Sequence, residues 1–168
     1  MFFPRRLCGM LLLFLTPLLF GCSVATPFKK STASSLHQGP VYIGVTNAIV
    51  EGGNRREFDD HTRRVIKSLP QNEGYLGHSV RSRILGNEVW TMTVWKDEAS
   101  LDRFVRSSVH REAMREGTPQ VLSAKFDRFT WPSFDPQPSW SVILTRLKSV
   151  EPVDYAARRA EKKNSLEY

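Results

Sequence analysis

An α+β domain of order β-α-β-β-α-β, with an antiparallel sheet under two helices, is predicted for residues 41–131. Three observations carry that reading. Val89–Trp95 is a run of β-branched and aromatic residues without Gly or Pro, bulky on both faces, as in a central strand. It passes directly into Leu101, Phe104, Val105, Val109 and Ala113, whose helical spacing gives a buried stripe and completes one strand–helix half of a split β-α-β unit. A matching half precedes it: Val41–Val50 alternates as a strand, and Phe58, Thr62, Val65, Ile66 and Leu69 then recur at helical spacing. Two such halves give the ferredoxin-like arrangement.

In chain order, residues 1–22 read as a leader, with Arg5 and Arg6 ahead of the apolar run Leu7–Phe20. That run is shorter than the ~20 apolar residues a membrane span needs. Its end, Leu19-Phe20-Gly21-Cys22, is similar to the lipobox of bacterial lipoproteins, which implies lipidation at Cys22 and an anchored position in the cell envelope, facing periplasm or exterior. A single membrane anchor and cleavage after Ala25 are the other readings of the same segment. Ser23–Pro40 shows no periodicity and is expected to be a flexible tether. The domain proper is expected over residues 41–150. Asn54 is placed to cap the first helix and Pro70 to end it. Tyr75–Ile84 is the second strand, with Leu76, His78 and Val80 on one face and Arg81 on the other. Gly86-Asn87 is the hairpin signal before the third strand, and Asp97 is placed to cap the second helix. Gly117-Thr118-Pro119 closes that helix, and Val121–Trp131 is the fourth strand. After a proline-rich connection, Trp140–Val150 is expected as an additional C-terminal strand. Residues 151–168 are expected as a charged tail, with Asp154–Tyr168 a short exposed helix or a frayed end.

The composition, 40% hydrophobic and 24% charged, suits a soluble body with polar ends. The net charge is +7, of which Arg5 and Arg6 supply two, leaving +5 beyond the leader. The positive residues are scattered along the chain, with no basic helix interleaved with aromatics, so nucleic acid is not an expected partner. The two cysteines are Cys8 and Cys22, so the domain body has no thiol for a disulfide. His37, His61, His78 and His110 fall at no metal-ligand spacing, and neither a phosphate loop nor a nucleophile elbow is present.

The stretch T-V-W-K-D-E-A-S-L-D-R-F-V-R-S-S-V-H-R-E-A-M, Thr93–Met114, resembles the third strand and second helix of antibiotic-biosynthesis-monooxygenase-type domains. The resemblance implies a homodimer whose sheets pair face to face into a dimeric α/β barrel, with a pocket between sheet and helices in each subunit. It also implies either cofactor-independent oxygenation of a flat aromatic or quinoid molecule, or heme degradation. Asn47 stands near the position where heme-degrading members place an asparagine. Their helix tryptophan and iron-ligating histidine fall at Phe104 and Met114, so neither heme nor another cofactor is expected. His110 lies one turn before Met114, but on a continuous helical wheel it falls nearly opposite the Leu101–Val105 stripe, facing solvent or a partner.

The candidate site residues are therefore Asn47 as a hydrogen-bond donor, His78 or His110 as a base, Trp90, Trp95 and Phe104 as aromatic lining, and Arg81 for an anionic substrate oxygen. Each has a plainer role available: Asn47 at a strand edge, His78 as a hydrogen-bonded core residue, the aromatics as core filling, Arg81 as an exposed strand arginine. Two functions follow, a metal-free monooxygenase tethered to a membrane, or a dimeric small-ligand-binding or structural lipoprotein of the same fold.

Overall fold

The computed structural model describes residues 22–165, so the leader before Cys22 lies outside the described residues. Four long strands make the sheet: β3 (Val41–Val50), β4 (Tyr75–Arg83), β5 (Glu88–Trp95) and β6 (Val121–Trp131). They lie in the order β4-β5-β3-β6, all antiparallel. Helices α1 (Arg55–Ser68), α2 (Glu98–Val105) and α3 (Ser108–Gly117) cover one face. The β-α-β-β-α-β order predicted for residues 41–131 is thus present, with its second helix divided in two.

Strand alternation sorts the core. Tyr42, Trp95 and Tyr75 point to the helices and pack with Leu69, Leu101 and Phe104. Val41, Ile43, Val45, Trp90, Met92 and Val94 point the other way and form the largest cluster. A bulge in β4 between Tyr75 and Gly77 breaks the simple alternation. It sends Leu76 to the far cluster while His78 stays beside Tyr75 on the helix face, so these two do not share a face as the sequence pattern predicts.

The far face is the surface that sheet-to-sheet pairing would use, and it is covered by the chain itself. Helix α4 (Trp140–Leu147) lies across it, with Ile143 completely buried and Leu147 nearly so. Phe28 and Phe134 complete the cover, their rings 6.0 Å apart. This corrects the strand expected over Trp140–Val150. Trp140, Ile143, Leu144 and Leu147 recur at i, i+3, i+4 and i+7, a helical stripe that the β-branched residues between them obscure. The Ser139 hydroxyl caps its start, and Lys125 Nζ donates to the Leu147 carbonyl at its end (2.9 Å). The strand that does extend the sheet is shorter and later, β7 (Val153–Asp154) on the edge of β6, followed by α5 (Tyr155–Asn164).

Residues 23–40, expected as a flexible tether, are instead seated on the sheet. β1 (Ser23–Ala25) and β2 (Lys29–Lys30) both pair with the outer edge of β4. Phe28 lies against Gly77, where a Cβ would stand 2.5 Å from the Phe28 ring. Backbone pairing and one aromatic plug, neither visible as periodicity, hold this segment.

Asp97 caps α2 as predicted, its Oδ1 accepting from both the amide and the hydroxyl of Ser100 at 2.7 Å. Those bonds hold its carboxyl below the usual carboxylate range. Asp97→Ala is expected to cost about 1 kcal/mol of unfolding free energy, measured by thermal denaturation. Asn54, by contrast, stands at the start of α1 without a side-chain capping bond.

Candidate functional site

The break between α2 and α3 makes the site. Ser107 leaves the helical path with φ −63° and ψ 154°, and its hydroxyl accepts from the His110 amide at 3.3 Å, starting α3 afresh. The new helix has a new phase. His110, expected to face away from the Leu101–Val105 stripe on a continuous wheel, instead turns inward and meets the Phe104 ring edge-on at 5.0 Å. Phe104 in turn stacks on Trp95 at 5.0 Å.

Between these helices and the sheet lies a cavity with two lobes. The outer lobe, about 390 Å³, is walled by Leu101, Phe104, Val105 and Met114, with Arg111 and Arg128 among its lining. The inner lobe, about 130 Å³, is walled by Phe58, Val65, Ala113 and Tyr155. Thr46, Thr91, His110, Met114 and Phe126 border both lobes. Phe126 and Met114 keep 41% and 37% of their surface exposed, an unusual amount of apolar area for residues lining a recess. The floor is narrow-shouldered for a reason. Gly44 carries no Cβ, and one placed there would stand 3.0 Å from Leu101 Cδ2, so α2 lies close on the sheet.

Polar groups on the floor divide into occupied and available. Thr93 Oγ1 accepts from Trp95 Nε1 (2.9 Å) and donates to the Gly44 carbonyl (3.2 Å). Thr46 and Thr91 stand opposite one another across β3 and β5, and their hydroxyls have no hydrogen-bond partner among the described residues. They are oriented donors or acceptors for whatever enters.

Burial lowers the His110 pKa; a hydrogen bond with the Val105 backbone opposes the shift and the nearby Arg128 charge reinforces it. His110 is consequently a neutral imidazole at pH 7, and one of its ring nitrogens carries a lone pair. His78 is also lowered, by burial and then by Lys29. Its Nδ1 pairs with the hydroxyl of Tyr75, whose own pKa burial pushes up to about 12, so the phenol keeps its proton and donates. Both imidazoles bind fewer protons folded than unfolded. The stability they contribute is complete above the ordinary histidine pKa of 6.5 and is lost as pH falls through their depressed values. The urea midpoint is expected to be lower at pH 5 than at pH 7.5. An unchanged midpoint would rule out two neutral buried imidazoles.

Of the residues singled out from sequence, Phe104 and His110 line the cavity, and Trp95 backs it from beneath Phe104. The remaining four lie elsewhere. Asn47 points to the far face, where its Nδ2 donates to Glu88 Oε1 (3.2 Å) and the Val89 carbonyl (3.4 Å). Trp90 shares that face, under α4. Arg81 donates to the Ser23 hydroxyl from Nε (2.9 Å) and Nη2 (2.6 Å), tying down β1. His78 is taken by Tyr75. Cys22 is exposed at the start of β1, its carbonyl accepting from the Ile84 amide at 3.1 Å. Thr46, Thr91, Arg111 and Arg128 were not anticipated. The cross-strand alternation of Thr46 and Thr91, on the face opposite Asn47, was the available signal.

No group of three His, Cys, Asp or Glu that could hold a metal ion occurs among the described residues. His61 is buried between α1 and α3, with Nδ1 3.3 Å from Glu116 Oε2, and Arg64 Nη2 reaches the same carboxylate at 2.8 Å. These contacts join the two helices that roof the inner lobe.

Residues 40–116 match the family model described as antibiotic biosynthesis monooxygenase. No curated protein sequence matches the chain significantly. Among solved structures, it is similar to a Nitrosomonas europaea protein proposed to be an antibiotic biosynthesis monooxygenase, at 12% identity and TM-score 0.52, over 61% of this chain and 98% of that one. It is also similar to a mutant of SnoaB, a cofactor-independent oxygenase from Streptomyces nogalater, at 18% identity and TM-score 0.50, over 58% of this chain and 98% of that one. It spans 47% of the length of a Lactobacillus acidophilus protein proposed to be a monooxygenase, which covers 63% of this chain at 13% identity and TM-score 0.48. At these identities, the similarity of the first two concerns the fold.

Proposed function

We propose, from the match of residues 40–116 to the antibiotic biosynthesis monooxygenase family model, a metal-free monooxygenase that oxidises a flat phenolic or quinoid molecule between sheet and helices. The observation that supports it best is a neutral His110 opening on an apolar cavity. Such a group removes the acidic proton of an anthrone-type substrate, and Phe104, Met114 and Phe126 hold the rings while excluding water. The substrate carbanion then reduces dioxygen itself. One oxygen atom becomes the new carbonyl, replacing two hydrogens, and the other leaves as water: anthrone and O₂ give anthraquinone and H₂O. The hydroxyls of Thr46 and Thr91 are placed to donate to the oxyanion that builds on the substrate oxygen.

The far face, where the family resemblance implies sheet-to-sheet pairing of a homodimer, is filled by α4 in this chain, and this reading takes the single subunit as the catalytic unit. The reading also places the protein in a bacterial envelope, exported and lipid-anchored at Cys22 by the segment Leu19-Phe20-Gly21-Cys22. Cys22→Ser is then expected to abolish incorporation of labelled palmitate.

The enzymatic test is oxygen uptake by the full-length protein with a panel of anthrones and hydroquinones. Uptake above the uncatalysed rate, with quinone formed one-to-one, is expected with at least one of them. Ligand binding without any uptake would favour a non-catalytic small-ligand-binding protein.

A further inference from the structure

We propose that the ligand of this cavity carries an acidic substituent, a carboxylate or an ionised phenol, held at the outer lobe by Arg111 and Arg128 while its ring system points toward the inner lobe. The inference rests on the reading of the cavity as an aromatic substrate site and adds the substrate's charge and its orientation.

The charge balance at the outer lobe supports it. Arg128 Nη1 is bonded to Asp102 Oδ1 at 2.7 Å, but the same carboxylate also serves Arg106, 3.7 Å from its other oxygen. One acid thus faces two guanidinium groups. The other nearby acid, Asp127, is engaged by Arg146 at 2.8 and 3.4 Å. Arg111 is exposed and makes no ion pair with any described residue, although it lines the lobe. Excess positive charge therefore remains on an otherwise apolar recess. The Arg128 charge also lies close enough to His110 to add to the lowering of its pKa that burial begins.

The two lobes differ enough to orient a ligand. The inner one is bordered by Phe58, Val65, Ala113, Met114, Phe126 and Tyr155 and contains no arginine or lysine. An acidic group placed there would meet no cationic partner, so any hydration it gave up would go uncompensated. Placed at the outer lobe, it gains a charge-assisted bond from guanidinium, whose fork of donors matches a carboxylate. His110 borders both lobes, so the middle of such a ligand lies against the base. The role assigned to Arg81 from sequence passes to Arg111 and Arg128.

The test compares two probes of equal shape, anthraquinone-2-carboxylate and anthraquinone-2-carboxamide, titrated into the full-length protein by calorimetry. The carboxylate is expected to bind about tenfold more tightly, the scale of one charge-assisted hydrogen bond. The preference is expected to shrink as salt is raised and to disappear in Arg111→Gln or Arg128→Gln, in which the carboxylate and carboxamide affinities should agree within about twofold. Equal affinities for the two probes would overturn the proposal and leave the aromatic site standing. A carboxylate preference untouched by both substitutions would overturn it as well, since the charge would be read elsewhere. Failure of both probes to bind would remove the aromatic site, and this inference with it.

Discussion

His110→Gln is expected to lower kcat for anthrone oxidation by about 10² to 10⁴, the range a positioned general base supplies. The amide approximates the size of imidazole and still forms hydrogen bonds, but it cannot accept a proton. The loss should therefore fall on kcat, with little change in KM for the substrate or in carboxylate-probe affinity. The pH profile separates this from a packing role. In wild type, kcat/KM should rise through the depressed pKa of His110 and level off near neutrality, and in the variant the residual rate should lose that limb. A variant that turns over at the wild-type rate would remove His110 from the chemistry. One that loses activity together with its melting temperature would make it a core residue.

The largest effect on stability is expected at Ile143, which is fully buried between α4 and the far face of the sheet. Ile143→Ala should cost about 3 kcal/mol, because the sheet residues beneath it cannot collapse into the space. For a chain of this size that lowers the melting temperature by roughly 10 °C. Ile143→Asp should go further and detach α4, since an unpaired carboxylate is not retained against Ile43 and Val94. The bared face is rich in Val, Ile and Met, and such a surface self-associates. In sedimentation velocity, wild type is expected as a single subunit and Ile143→Asp as larger species. A wild-type dimer that dissociates on changing Ile143 or Leu147 would show instead that α4 crosses between subunits.

The fold within residues 41–131 was legible because period-2 and period-3.6 patterns there alternate cleanly and Gly or Pro punctuates them. What failed has identifiable physical causes. A helical wheel assumes unbroken phase, and the Ser107 cap resets it, which moved His110 from the surface to the cavity. The bulge at Tyr75–Gly77 hid from a strict alternation which side Leu76 would take. In Trp140–Leu147 the residues Val142, Ile143 and Thr145 favour a strand by type, but apolar spacing and two end caps favour a helix. Asn47 and Thr46 are neighbours on one strand, so a choice made by residue chemistry without fixing the face picked the wrong one. Arg111 and Arg128 carry no motif; only the folded arrangement joins α3 to β6 around one recess.

The division of the core into two faces has an optical consequence. The chain has four tryptophans. Trp90, Trp131 and Trp140 belong to the cluster under α4, and the Trp140 indole donates to Ser79 Oγ at 3.1 Å. Trp95 alone sits on the opposite side, stacked beneath Phe104 at the cavity. Intrinsic emission therefore separates two events in one unlabelled molecule. Lifting of the C-terminal segment would shift the majority signal to the red, and an aromatic guest arriving beside Phe104 would quench the minority one.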